Sequence, residues 1–261
     1  MKKVFIDQLH RSVEIAFPPK QIISLVPSQT ELLFDLGLDK DVIGITKFCV
    51  HPEKWFREKK RVGGTKTVDI DVVRSLAPDL IIANKEENDH LQIEMLSGKF
   101  PVWISDVRTL KDAIAMISTV GDMTGRSSQA EKIAEQINSE FSNLQKPYER
   151  TCAYLIWNDP MMTVNNDTFI NDMLKRCGCK NVFGDNVNSR YPEITTEDLI
   201  SASPEILLLA SEPFPFSQKH IDHFQMILPR TTIRLADGEM FSWYGSRLKY
   251  AAQYFRSFVM A

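Results

Sequence analysis

Ile22-Ile23-Ser24-Leu25-Val26 runs without a break into Pro27-Ser28-Gln29-Thr30-Glu31-Leu32-Leu33-Phe34-Asp35-Leu36-Gly37. The first five residues make an apolar run of strand length. The rest predicts a helix. Ser28 with Glu31 three residues on reads as a capping box, Leu32, Leu33 and Leu36 share one face, and Gly37 is a stop. A buried strand that turns directly into a helix N-terminus is the repeating unit of open α/β sheets. Ligand sites in such sheets lie beyond the carboxyl ends of the strands.

The same grammar extends in both directions. Upstream, residues 3–16 alternate as a β-hairpin closed off by Pro18-Pro19. Downstream come strands at 42–46, 79–83 and 102–105, a helix opening at Asp69 and another from about Thr109 to Gly121. Ser128-Gln129-Ala130-Glu131 reads as a second capping box. It opens a long helix with Ile133, Ala134, Ile137, Phe141 and Leu144 at helical spacing, which Pro147 stops. Strand–helix alternation resumes at 152–157. The reading is an α/β protein of two Rossmann-like lobes with central, mainly parallel sheets, joined by one long backbone helix. Its expected bounds are 1–125 for the first lobe, 126–147 for the helix and 148–261 for the second lobe.

Internal similarity supports two lobes. Ser75-Leu76-Ala77-Pro78-Asp79-Leu80-Ile81-Ile82 reads against Ser201-Ala202-Ser203-Pro204-Glu205-Ile206-Leu207-Leu208, an offset of 126 residues (78 to 204). At that offset Asp69 meets Thr195 as helix caps, and Asp71 meets Glu197 at the second helical position. Two readings of these acids stand side by side. They complement helix dipoles, worth about 0.3–1 kcal/mol each, or they are equivalent acidic studs presented to one basic partner.

Composition removes several function classes. Lys plus Arg (31) against Asp plus Glu (34) leaves a net charge of −3, so nucleic acid is not the expected partner. Only 11 glycines occur and no glycine-rich phosphate loop is present. No apolar run approaches the roughly 18 residues of a membrane span. Four cysteines make no disulfide framework, since Cys177 and Cys179 lie too close to pair and Cys49 and Cys152 sit in apolar stretches. The motifs G-x-S-x-G, H-E-x-x-H and C-x-x-C are all missing, which points away from an enzyme.

Four stretches, 22–38, 61–83, 166–185 and 191–210, together resemble the substrate-binding proteins of ABC importers for cobalamin, haem and iron–siderophores, in matching order over nearly the whole chain. The resemblance implies a monomeric, periplasmic receptor with no intrinsic cofactor. Such a receptor captures cobalamin or a related chelate (a corrinoid, a ferric siderophore or haem) in a cleft between lobes and delivers it to a permease. It further implies that Asp71 and Glu197 dock onto basic residues of that permease. Phe48, Tyr191 and Trp243 match the family's aromatic lining, and Met162 stands where a phenylalanine is expected. Thr65 and Asn84 stand where tryptophans are expected, which implies a first lobe with less stacking surface, makes Asn84 a candidate ligand-binding residue and admits a more polar chelate.

The remaining chemistry is sparse. His220-Ile221-Asp222-His223 places two imidazoles on one helical face, but with no third ligand nearby the expectation is a solvated helix. His51 precedes Pro52 in a loop, as a candidate axial ligand or an ordinary loop residue. Arg247, near Trp243-Tyr244, is either a surface arginine or a partner for an anionic group of the ligand. Met161-Met162 lines either the core or the site. No metal site is expected. Lys2 and Lys3 lead into Asp7 and His10 rather than into an apolar core, which is not a signal peptide as written. The alternative is therefore a cytoplasmic binding or processing protein on the same scaffold, uncoupled from transport.

Overall fold

A computed structural model describes residues 1–144 and 149–260. Contacts divide the chain into two units. The first comprises Met1–Val107, Lys111–Asn138 and Tyr244–Lys249; the second comprises Arg108–Leu110, Ser139–Trp243 and the tail from Tyr250.

The first unit opens with the expected hairpin, β1 (Lys2–Ile6) antiparallel to β2 (Ser12–Ala16). Next come β3 (Ile22–Ser24), α1 (Pro27–Asp35), β4 (Val42–Ile45), α2 (Glu53–Glu58), β5 (Lys60–Arg61) and α3 (Ile70–Leu76). They are followed by β6 (Leu80–Asn84), α4 (His90–Ser97), β7 (Val102–Ser105), α5 (Leu110–Thr124) and α6 (Ser127–Ser142). Strands β3 to β7 form one sheet in the order β5-β4-β3-β6-β7, every neighbouring pair parallel. Parallel strands need crossovers, and helices laid over both faces bury the strands completely. All five residues of β6 are buried accordingly. Ile23, Leu25, Val73, Ile81, Ala83 and Ile93 meet in the core of this unit.

The second unit contains β8 (Arg150–Leu155), β9 (Trp157–Asn158), β10 (Met161–Met162), α7 (Phe169–Arg176), β11 (Cys179–Asn181) and α8 (Thr196–Ala202). It continues with β12 (Ile206–Ala210), α9 (Gln218–Ile227), β13 (Thr232–Ala236), α10 (Gly238–Ser242) and α11 (Leu248–Met260). Its sheet, β11-β8-β12-β13, is also parallel throughout. β9 and β10 form a short antiparallel pair of their own. Ala153, Leu155, Leu199, Leu207, Leu209 and Phe224 form the core.

The repeat seen in the sequence is a repeat of structure. α3 and α8 begin at 70 and 196 and end at 76 and 202, while β6 and β12 begin at 80 and 206 and end at 84 and 210. All four bounds differ by 126. Each helix also stops in the same way: Ala77 (φ 44°, ψ 57°) and Ser203 (φ 43°, ψ 56°) both adopt the left-handed conformation although neither is glycine.

Several local expectations are corrected. Val26, not Ser28, is the N-cap of α1, with no side-chain cap. Pro27 takes the first helical position, where its missing N–H costs nothing. Ser28 is thereby drawn into the first turn, and Glu31 is free to pair elsewhere. Ser128 is likewise inside α6, which begins at Ser127. That helix has 16 residues, roughly 24 Å at 1.5 Å per residue; Pro147, expected to end it, lies outside the described residues. His220 is buried rather than solvated, because its Nδ1 accepts the Ser217 N–H at 2.9 Å and so caps α9. All four cysteines are free and buried.

Candidate functional site

The candidate residues lie within each unit at strand ends (Asn84, Met162), in loops (Phe48, Tyr191, Arg247), at the end of α10 (Trp243) and in helix first turns (Asp71, Glu197). In the first unit the loop after β4 is anchored from below. Thr30 Oγ1 donates to Ser24 Oγ (2.7 Å) and lies 3.0 Å from Cys49 Sγ, which also contacts Thr46 Oγ1 at 3.2 Å. Burial pushes the Cys49 thiol above its ordinary range. This anchored loop lifts Phe48 into solvent, 51% exposed, with the Lys47 ammonium 5.2 Å from its ring centroid. Gly64 makes room for that ring: a Cβ there would sit 3.2 Å from Phe48 Cε2.

Asn84, at the end of β6, is occupied inside its own loop. Its amide nitrogen donates to Ser105 O (3.1 Å) and Ser105 Oγ (3.0 Å), and its Oδ1 accepts the N–H groups of Glu86 (2.8 Å) and Glu87 (3.0 Å). Asn88 continues the lattice, donating to Leu25 O and Thr65 O. Asn84 therefore shapes the loop rather than facing outward, and Lys85, Glu86 and Glu87 are the residues it presents. The segment 244–249 is fastened to this same unit. Tyr244 donates to Glu87 Oε1 at 2.7 Å, and burial, then the Glu87 charge, hold its phenol well above the usual range. Arg247 forms a two-point ion pair with Glu31 (2.9 and 2.8 Å) in which the side chains are 14% and 17% exposed. Glycine is required at 245, because a Cβ there would collide with Ser28 O.

In the second unit Met162 is half-buried on β10 and bridges to Glu193, while Met161 packs against the core. Tyr191 is half-buried at the end of a loop held by Arg190, which donates to Asp167 at 2.8 Å. Burial raises the Asp167 carboxyl, but Arg190 and Arg108 outweigh it and hold the group below its ordinary value. Trp243 is 7% exposed, and its indole N–H donates to Glu212 Oε1 at 2.8 Å. Asp71 and Glu197 occupy the second positions of α3 and α8, both exposed, with Arg74 donating to Asp71 at 3.0 Å. Among the described residues no group of three or more His, Cys, Asp or Glu side chains is arranged to hold a metal, and no helix is long and apolar enough to cross a membrane.

Three acids that sequence reasoning missed, Glu31, Glu87 and Glu212, hold the candidate residues in place. Glu87 and Glu212 carried a short-range signal, as acids three and two residues past the buried strands β6 and β12, whereas Glu31 read only as part of a capping box.

Residues 22–226 match the model of the periplasmic binding protein family. The chain belongs to that family. A vitamin B12-binding protein of Photorhabdus laumondii is 26% identical over 212 residues, spanning 79% of this chain and 76% of the relative. Among solved structures, the periplasmic vitamin B12 binding protein of Vibrio cholerae matches with TM-score 0.81 and 20% identity, covering 94% of this chain and 98% of its own. A periplasmic heme-binding protein from Roseiflexus sp. RS-1 matches with TM-score 0.78 and 19% identity, covering 92% and 98%. The likeness to these solved structures establishes the fold, two parallel α/β sheets.

Proposed function

We propose that this chain is the substrate-binding component of an ABC-type importer, acting as a monomer outside the cytoplasmic membrane. It captures cobalamin or a related metal chelate and delivers it to a permease. The observation that carries the reading, beside the family, is the pair of exposed first-turn acids. Asp71 and Glu197 stand at equivalent positions of two helices whose bounds repeat at one offset. Helix dipoles favour acids anywhere in a first turn and do not require one at the same position of both copies. A basic partner that contacts both units accounts for acids at equivalent positions. The expected segments, 1–125 and 148–261 around the helix of 126–147, would each supply one stud.

Phe48, Met162, Tyr191, Trp243 and Arg247 are the residues assigned to the ligand, with Asn84 setting the shape of the first unit's loop. Aromatic and methionine surfaces suit a large flat chelate. The polar 84–88 loop suits a chelate with a hydrogen-bonding edge. Titrating the four tryptophans with cyanocobalamin, haemin and ferrichrome, corrected for ligand absorbance, tests the capture step. Saturable quenching by one of them supports it, and silence with all three removes the chelate reading. For delivery, Asp71→Arg with Glu197→Arg should abolish stimulation of the reconstituted permease ATPase at unchanged ligand affinity. Loss of affinity in that variant would place the acids in the ligand site instead.

A further inference from the structure

A cavity of about 470 Å³ opens at the carboxyl ends of β12 and β13, lined by Ser211, Glu212, Leu235, Ala236, Asp237 and Glu239. Glu212 is one of its lining residues. One of its oxygens, Oε1, accepts both the Trp243 indole N–H (2.8 Å) and the Ser242 hydroxyl (2.9 Å). The approach is close on the other side too: a Cβ at Gly238 would lie 2.6 Å from Glu212 Cγ and 3.1 Å from its backbone N and O. The 211–212 loop and α10 are thus in direct contact, with Trp243 leaving the end of α10. Indole has one donor and no acceptor, so this hydrogen bond fixes which way the ring is turned.

We infer that Glu212 is a positioning residue for the ligand wall: it orients Trp243 through a charge-assisted hydrogen bond and loosens that hold when it takes up a proton from the cavity. The inference rests on the reading of Trp243 as a ligand-facing residue. Its chemical basis is the difference between two acceptors. An ionised carboxylate binds an N–H donor about twice as strongly as a neutral group does, so protonation weakens the Trp243 and Ser242 bonds together.

The groups facing Glu212 favour protonation above the ordinary carboxyl range. Burial acts first; the Ser242 and Trp243 hydrogen bonds oppose it, and the charges of Glu239 and Asp237 add to it, leaving the group above its ordinary value. The Tyr154 hydroxyl from β8 faces the same carboxylate, and Tyr254 from α11 stands against Asp237, accepting its N–H at 2.9 Å.

Glu212→Gln keeps both hydrogen bonds in neutral form and so mimics the protonated state without opening a cavity. In the wild-type protein, tryptophan emission should titrate with a midpoint above about 4.5, the ordinary glutamate value, and the transition should vanish in both Glu212→Gln and Trp243→Phe. Cyanocobalamin, and haemin in a separate series, should bind the wild type about tenfold more weakly below the emission midpoint than above it, the loss of roughly one charge-assisted increment. Glu212→Gln should bind with the weaker affinity on both sides of that midpoint. An emission transition that persists in Glu212→Gln, or an unchanged pH dependence of binding, overturns the inference. If neither chelate saturates at any pH, the capture reading fails on its own account. The emission titration then still decides whether Glu212 orients Trp243.

Discussion

Ala77→Gly and Ser203→Gly should each stabilise the protein, against the usual cost of adding glycine. Both residues follow a helix with φ near +44° and both are exposed, so the substitutions remove no buried contact. The left-handed conformation costs an L-residue about 1–2 kcal/mol. Glycine escapes that cost but loses about 0.5–1 kcal/mol to the greater freedom of its unfolded chain. The net gain is about 0.5–1 kcal/mol per site, or roughly 1–4 °C in Tm for a chain of this size. Ser201→Gly is the matched control. It lies two residues earlier, inside α8 and exposed, and should cost about 0.5 kcal/mol by helix propensity. Urea unfolding followed by tryptophan emission and far-ultraviolet circular dichroism would read the shift in midpoint at constant slope. If unfolding splits into two phases, Ala77→Gly should move one and Ser203→Gly the other. Glycine variants no more stable than wild type, with unchanged slope, would refute the reasoning that both helices end in strained backbone.

Two further outcomes are expected. Arg247→Ala should cost about 3 kcal/mol, because it leaves the largely buried Glu31 carboxylate without its partner; a loss of chelate affinity at unchanged urea midpoint would instead show that Arg247 serves the ligand. Asp39 is held down to about 2 by hydrogen bonds from Lys54 and then from the Trp55 indole. Since this folded value lies below the ordinary 3.8, its contribution is present above about pH 4 and disappears as pH falls through 2. Asp39→Asn should therefore be less stable than wild type at pH 7, with the gap closing between about pH 4 and 2. A gap in urea midpoint that stays constant over that range would exclude the assignment.

How far the fold was legible depends on how locally its information is written. The strand–helix units announce themselves because an apolar run beside a capping residue is a short-range pattern, and Asp69 and Thr195 cap α3 and α8 as read. The cap of α1 was misread by two residues because Pro27 takes the first helical position and moves the cap back from Ser28 to Val26. The site was less legible. Arg247 and Glu31 are 216 positions apart, and no local pattern in either neighbourhood signals the pair. Asn84 was placed correctly at a strand end, but its orientation depends on Ser105, 21 residues on. For the same reason the return of 244–249 to the first unit is invisible in sequence: its ties are to Glu87, Ser28 and Glu31, all far upstream.

The 126-residue offset separates what the two units share from what they do not. Helix caps, left-handed stops, strand bounds and first-turn acids recur in register, and these positions hold the scaffold and the exposed helix ends. Beyond the strands the register persists while the chemistry diverges. Asn84 corresponds to Ala210, so the first unit builds a hydrogen-bonded lattice where the second has a bare methyl group. Glu86 corresponds to Glu212, yet only the second unit turns that acid onto a tryptophan, while the first uses the next residue, Glu87, for Tyr244. Two adjacent aromatic residues, Trp243 and Tyr244, thus each donate to an acid just past equivalent strands, and the division between units falls between them. A partner that reads the repeated positions meets the same surface twice. The strand ends of the two units thus differ in chemistry, the first polar and hydrogen-bonded and the second carrying a carboxylate-held indole. Under the proposed capture function, loops 84–88 and 211–212 with Trp243, where the repeat is broken, are the positions to exchange first in a ligand screen, ahead of the elements that made the family recognisable.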